Sequence, residues 1–235
     1  IVKSILTKIT GDESIYNSPT DMGVNMAGFA IVDDEACREA SRQEIIRRYY
    51  KAACDYKTGN GTADAVERIR LLMNQNKISA EERTVIKPAL EKAEKCNGTA
   101  VAIRLDSGET VTGRSSNLMS ACSSAVLNAI KSLSSISDDM LLLSPIILAP
   151  IIKLKKEVLC EDKVKLNLGD VLTALSICAA TNPVAEKALD MLVSLRGAEA
   201  HSSCILPESD MRYVRKLGIN MTSEPEFGTK DLYGF

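Results

Sequence analysis

The sequence has no tryptophan, a single histidine in 235 residues and only 4% aromatic residues. So few rings exclude the stacking platforms on which single-stranded nucleic acids lie, and one histidine cannot supply a histidine-rich zinc centre. Charge of one sign is missing too: 29 Lys and Arg against 31 Asp and Glu give a formal net charge of -2, without the basic footprint of a nucleic-acid binder. No apolar run approaches the ~20 residues that span a bilayer, and no basic, apolar, small-residue leader opens the chain. The seven cysteines stand singly, with no CxxC pair, which fits a reducing compartment. These absences predict a soluble, cytoplasmic protein that engages neither nucleic acid nor membrane. The Asn-x-Thr triplets at Asn60, Asn97 and Asn220 are then chance matches, because glycosylation needs the secretory route.

Motifs that carry a cofactor are absent as well. There is no HExxH, no GxxxxGK[ST] and no GxGxxG, so this chain alone implies no metal and no nucleotide. The first residue is Ile1, inside an amphipathic helical pattern already under way, which predicts a fragment of a longer chain.

What is present falls into two regions. Residues 1–97 read as mostly helical, with a long polar loop over 11–27 and helices over about 34–56, 62–76 and 80–95, the last with Ser79 as its cap. From Thr99 the period changes. The runs TAVAIRL and TVTGRSS around DSGE predict a β-hairpin with Gly108 in the left-handed region. Helices follow over 117–133, from Ser144–Pro145 with a bend at Pro150, over 168–180 and over 183–195; MLLL at 140–143 reads as a short buried strand. A strand to about Leu206, a helix over 207–217 and a strand over 219–223 then form a βαβ unit with parallel strands. The expected fold class is α/β (mixed α+β): a helical region over 1–97, then a three-layer α/β/α domain over 98–235 with a mixed sheet of four to five strands. That order looks deaminase-like. The zinc ligands such a site needs at the helix starts near Asn117 and Pro145 are missing, since SSNLMS and SPIIL hold neither His-x-Glu nor Pro-Cys-x-x-Cys.

Candidate chemistry concentrates between Asn167 and Leu206. His201, in AHSSC, has the residue type for proton transfer near neutrality, with Ser202 beside it. Thr181 and Asn182 place a hydroxyl and an amide at a helix start, where backbone N–H groups are unpaired and favour an anion. Cys178 becomes a nucleophile if a dipole or cation lowers its pKa. Asp21 and Asn25, in the early loop, offer further ligand contacts.

The strings SPTDMGVNMAGFAIVDDEACREASRQEIIRRYY, LSICAATNP, AEAHSSCIL and KLGINMTSEP resemble the bacterial family of domain of unknown function 1846. The resemblance covers nearly the whole chain. It implies a parent protein roughly twice this length, with this chain as its C-terminal part and a Rossmann-type, nucleotide-binding N-terminal half as its partner domain. Some members carry the label ATP-dependent zinc protease, which the residues here do not support. Two functional expectations follow: a ligand-binding or catalytic surface contributed to that larger protein, or a structural module whose helices build a homo-oligomer.

Overall fold

The hairpin forms where the period-2 pattern begins. β1 (Ala100–Arg104) and β2 (Thr110–Arg114) pair antiparallel around Gly108, whose φ of +86° admits the turn. The computed structural model describes residues 2–11, 34–161 and 164–228. It divides into two compact units, 1–44 and 45–235. In the first, helix α1 (Val2–Thr10) ends at Gly11, which has a φ of +70°. Helix α2 (Asp34–Lys57) crosses the boundary, with its residues from Ile45 onward in the second unit.

In the larger unit the chain continues as α3 (Ala63–Gln75), a 3-10 turn (Ala80–Glu82), α4 (Ile86–Cys96), β1, β2, α5 (Ala121–Leu133), α6 (Pro145–Lys153), α7 (Leu168–Ala179), α8 (Pro183–Asp190), β3 (Glu199–Ser202), α9 (Glu208–Leu217) and β4 (Asn220–Ser223). The sheet runs in the order β2-β1-β3-β4, with β1 antiparallel to both neighbours and β3 parallel to β4. This is the expected mixed α/β class with four strands. The anticipated strand at 140–143 is instead an irregular segment: Leu142 and Leu143 are buried while Met140 and Leu141 face solvent. A short apolar run fits a core loop as well as a strand.

Strand alternation sorts the layers. Val101, Ile103 and Ala200 point into the main core with α5, α7, α8 and α9. Ala102 and His201 point the other way, where Val85 and Ala89 pack on Ala102 and the Tyr50 ring meets His201 edge-on with centroids 5.1 Å apart. Helices of the N-terminal region therefore supply the second outer layer of this sheet. Tyr50 and Ile46 of α2, Met73 of α3, Ile78 and Ile86 form a further cluster behind it.

Local signals explain most helix ends. Asn167 and Asp170 make a capping box at α7, and Ser79 makes one with Glu82. Gly218 closes α9 in the left-handed region at a φ of +73°. The helix expected over 80–95 breaks at Arg83, which takes an extended ψ of 94°. The break turns the Arg83 side chain inward, under the sheet. Among the described residues no helix is long and apolar enough to cross a membrane.

Candidate functional site

Two polar rows lie on the sheet face that α2 and α4 cover. Register aligns Ala102, His201 and Thr222 across β1, β3 and β4, and aligns Arg104, Glu199 and Asn220 in the next row. Glu199 and His201 are two residues apart, as are Asn220, Thr222 and Glu224, so each strand places its polar residues on this one face.

His201 is completely buried. Its Nδ1 lies 2.8 Å from Thr222 Oγ1 and its Nε2 lies 3.1 Å from Glu224 Oε1. The Glu224 side chain is 23% exposed, so the pair runs from the interior to the rim. Tyr50, in the second layer, lies close to Glu224 as well. Burial, and then the Glu224 carboxylate, raise the Tyr50 pKa well above its ordinary value, which keeps the phenol protonated as a donor. Cys54, one turn further along α2, donates its thiol to Ser223 O at 3.2 Å.

Arg83 anchors the neighbouring row. Only 1% exposed, it donates from Nε to Thr222 Oγ1 at 2.8 Å, from Nη2 to Ala200 O at 2.9 Å and Asn220 O at 2.5 Å, and from Nη1 to Glu199. Glu199 also accepts from Arg47 at 2.8 Å and from Asn220 Nδ2 at 3.0 Å. Burial lowers the Arg83 pKa and the Glu199 carboxylate raises it. A buried guanidinium is costly unless its donors are met, and here four of its N–H bonds are made. Among the described residues no buried side-chain N or O lacks a partner.

The remaining residues singled out in the sequence lie elsewhere. Ser202 is buried on the opposite sheet face from His201, and its hydroxyl accepts from Cys204 N at 3.4 Å. Asn182 caps α8, accepting Val184 N at 3.0 Å, beside an exposed Thr181. Helix α8 buries Ala185 and Ala188 in the main core, across the sheet from His201. Cys178 is buried and accepts Ser144 N at 3.3 Å. Asp21 and Asn25 lie outside the described residues. The structure thus brings His201 together with Glu224, Thr222 and Tyr50, and does not bring it together with Ser202, Thr181 or Asn182. Replacing Asn182 by Ala is expected to cost about 1 kcal/mol of stability, the loss of a cap, which thermal unfolding would measure; a loss several times larger would show that the amide does more than cap.

Glu224, Tyr50, Arg83 and Glu199 escaped the sequence reading because their partnership depends on register and on the break at Arg83. One signal was available: the period-2 polar residues of EAHS and NMTSE mark a polar face on strands that are otherwise interior. A separate cavity of about 420 Å³ lies between the first turns of α7 and α9, walled by Tyr213 against Gly169. It shares no residue with the His201 cluster.

Thiol chemistry gives a further check on burial. The Cys54 thiol is pushed up to about 11, by burial first and then by Asp55, Glu224 and Cys204. Burial also raises Cys122 and Cys204, whereas Cys160 is exposed. At pH 8 about a thousandth of Cys54 would be thiolate, the reactive form. Timed alkylation read by mass spectrometry is expected to label Cys160 first and Cys54, Cys122 and Cys204 last; equal labelling of Cys54 and Cys160 would contradict the packing of α2 on the sheet.

Comparison with known proteins places these features in a family. The chain is 48% identical over 241 residues to the UPF0371 protein CD630_08980 of Clostridioides difficile (strain 630), covering 99% of this chain and 48% of that protein. It is 46% identical over 241 residues to a UPF0371 protein of Clostridium botulinum (strain Alaska E43) and 47% identical over 243 residues to that of strain Langeland, with the same coverages. The chain spans about half the length of these relatives. Residues 81–233 match the C-terminal model of domain of unknown function DUF1846. Residues 1–77 match its N-terminal model, which corrects the expectation that the whole chain is C-terminal. On these matches, spanning both parts of the family's description, the chain belongs to the DUF1846 family.

Proposed function

We propose that the chain contributes a ligand-binding surface with acid–base capacity, centred on Glu224 and His201, to a larger cytoplasmic bacterial protein. One observation carries this reading: a half-buried carboxylate is hydrogen-bonded to a fully buried imidazole whose other nitrogen is also held. A carboxylate at the rim can meet a ligand, and the imidazole behind it is a proton donor or acceptor by residue type, held at both ring nitrogens. Glu224 is the contact group. His201 and Tyr50 lie against it, and Arg83 with Glu199 and Arg47 fixes the neighbouring row. Of the residues named from sequence, this reading keeps His201. Ser202, Thr181 and Asn182 face other parts of the fold and take structural roles. Nucleotides are the first ligands to try, because half of each relative's length lies outside the match and the family resemblance implies a nucleotide-binding domain there.

The test is a thermal-stability survey of the full-length protein with nucleotides and divalent metals, run in parallel on Glu224→Gln. A ligand at a hundredfold excess over its Kd stabilises by ~2.7 kcal/mol. The expected result is a stabilising ligand whose effect is lost in Glu224→Gln while the unliganded variant melts near wild type. A ligand that stabilises both alike overturns the assignment.

A second reading, a structural module that forms a homo-oligomer, is favoured by α6. Its sequence PIILAPIIK is apolar on all sides, and Ile146 is 81% exposed near Leu141 at 72%. Large apolar side chains this exposed and this close in sequence are a feature of interfaces. Light scattering that shows an oligomer dispersed by Ile146→Asp would support it, and a monomer at all concentrations would remove it.

A further inference from the structure

We infer that Thr222 is a proton-switching partner of His201, a positioning residue whose hydroxyl satisfies the buried ring in two protonation states. The inference deepens the reading of His201 and Glu224 as an acid–base pair, yet its test needs no ligand. A threonine hydroxyl has one proton and two lone pairs. Thr222, 4% exposed, has three polar neighbours: Arg83 Nε at 2.8 Å, His201 Nδ1 at 2.8 Å and Ala200 O at 3.2 Å. Arg83 can only donate and carries its charge at all accessible pH, so it occupies one lone pair throughout. The single hydroxyl proton then goes to Nδ1 or to Ala200 O.

Each choice matches one state of the pair. An ionised Glu224 can only accept, so a neutral His201 carries its proton on Nε2 and leaves Nδ1 as a bare acceptor. Thr222 donates to it. When the pair holds one more proton, whether on Nε2 or on Glu224, Nδ1 bears a hydrogen and donates to the second lone pair of Thr222. The hydroxyl then turns to Ala200 O. The two states differ by one proton exchanged with solvent, and neither leaves a buried group orphaned, a penalty that would otherwise oppose titration of a buried ring. The charged or titratable groups around the ring are Glu224 after β4, Tyr50 and Cys54 of α2, Arg83 before α4 and, one row along, Glu199 with Arg47. Strand β1 presents Ala102 and α4 presents Ala89.

His201 is the only histidine in this 235-residue chain, so a 15N-histidine NMR titration of the chain reads this ring alone. Wild type is expected to show the Nε2–H tautomer at the alkaline end and a reversible gain of a proton at Nδ1 in the folded protein on acidification. Thr222→Ser keeps both features. Thr222→Val, which preserves shape and removes the hydroxyl, keeps the Nε2–H tautomer that Glu224 imposes and moves the gain of a proton at Nδ1 to lower pH, because the new N–H finds no acceptor. An Nδ1–H tautomer in alkaline wild type, a ring that does not titrate while folded, or a Thr222→Val ring that behaves as wild type would each overturn the inference. If Thr222→Val does not fold, the wild-type tautomer and titration decide. A ligand found through Glu224 in the survey would survive any of these failures, which keeps the two claims separable.

Discussion

Replacing Arg83 by methionine is expected to destabilise the protein by about 3–5 kcal/mol, the usual loss when one partner of a buried ion pair is removed. Methionine fills much of the volume of the arginine stem and supplies no donor. Thr222 Oγ1, Ala200 O and Asn220 O each lose a hydrogen bond, and Glu199 keeps only Arg47 and Asn220. In a chain this size the melting temperature should fall by on the order of 10 °C. Arg83→Lys should recover less than half of the loss, because an ammonium cannot reproduce a planar fork that reaches a hydroxyl, a carboxylate and two carbonyls at once. Calorimetry or chemical denaturation of both variants checks this. A loss under about 1 kcal/mol, a surface value, would mean that Arg83 is not tied into the sheet.

Gly113→Ala is expected to cost at least as much for a different reason. A Cβ at Gly113 would stand 2.1 Å from Ala125 N, 2.5 Å from Ala125 Cα and 2.6 Å from Ser124 C. All three are backbone atoms of α5, so no side chain can turn aside. Ala121, Cys122, Ala125 and Ala129 let α5 settle this close to β2, and Gly113 pairs with Val101 inside the hairpin ladder. Either β2 or α5 must move. Overpacking commonly costs ~1–3 kcal/mol where side chains can adjust, and backbone contact puts this case at or above the upper end. Gly108→Ala is the control. Its added Cβ meets nothing within 4 Å, and its φ of +86° is the only objection, so ~1 kcal/mol is expected. Equal stability of the two variants would refute the close approach of α5.

These two positions also show what sequence can and cannot reveal. Gly113 was not singled out, although a glycine inside a strand pattern signals close approach of another backbone. The hairpin turn at Gly108, the capping boxes at Ser79 and Asn167 and the left-handed cap at Gly218 were legible because each rests on a few adjacent residues. Arg83 was not. The stretch AEERTVIKPAL carries helical periodicity throughout, and nothing local distinguishes an arginine that turns inward from one on a solvated face. The inward turn is stabilised by Glu199, Thr222 and two strand carbonyls over a hundred residues away.

The candidate site divides in the same way. His201 was identified by residue type, and the strand alternation around it was readable. Its partner Glu224 lies just past the strand expected over 219–223, although it continues the polar side of β4 and its N–H extends the ladder to Ser202 O at 2.9 Å. Ser202 was paired with His201 on sequence proximity. In a strand, adjacent residues face opposite sides, and that geometry separates them. Tyr50 came into view only once α2 was placed on the sheet, because Tyr49 and Tyr50 look equivalent in a helix until one of them is seen to meet the imidazole.

The most direct test of the acid–base site is the ring of His201 observed while a ligand binds. With the full-length protein labelled at its histidines and a stabilising ligand from the survey added, the 15N signals of His201 should move in step with occupancy, and Glu224→Gln should abolish both the binding and the shift. A ligand that saturates the protein and leaves the His201 signals unchanged would place binding elsewhere, as at the cavity between α7 and α9, and would contradict the account.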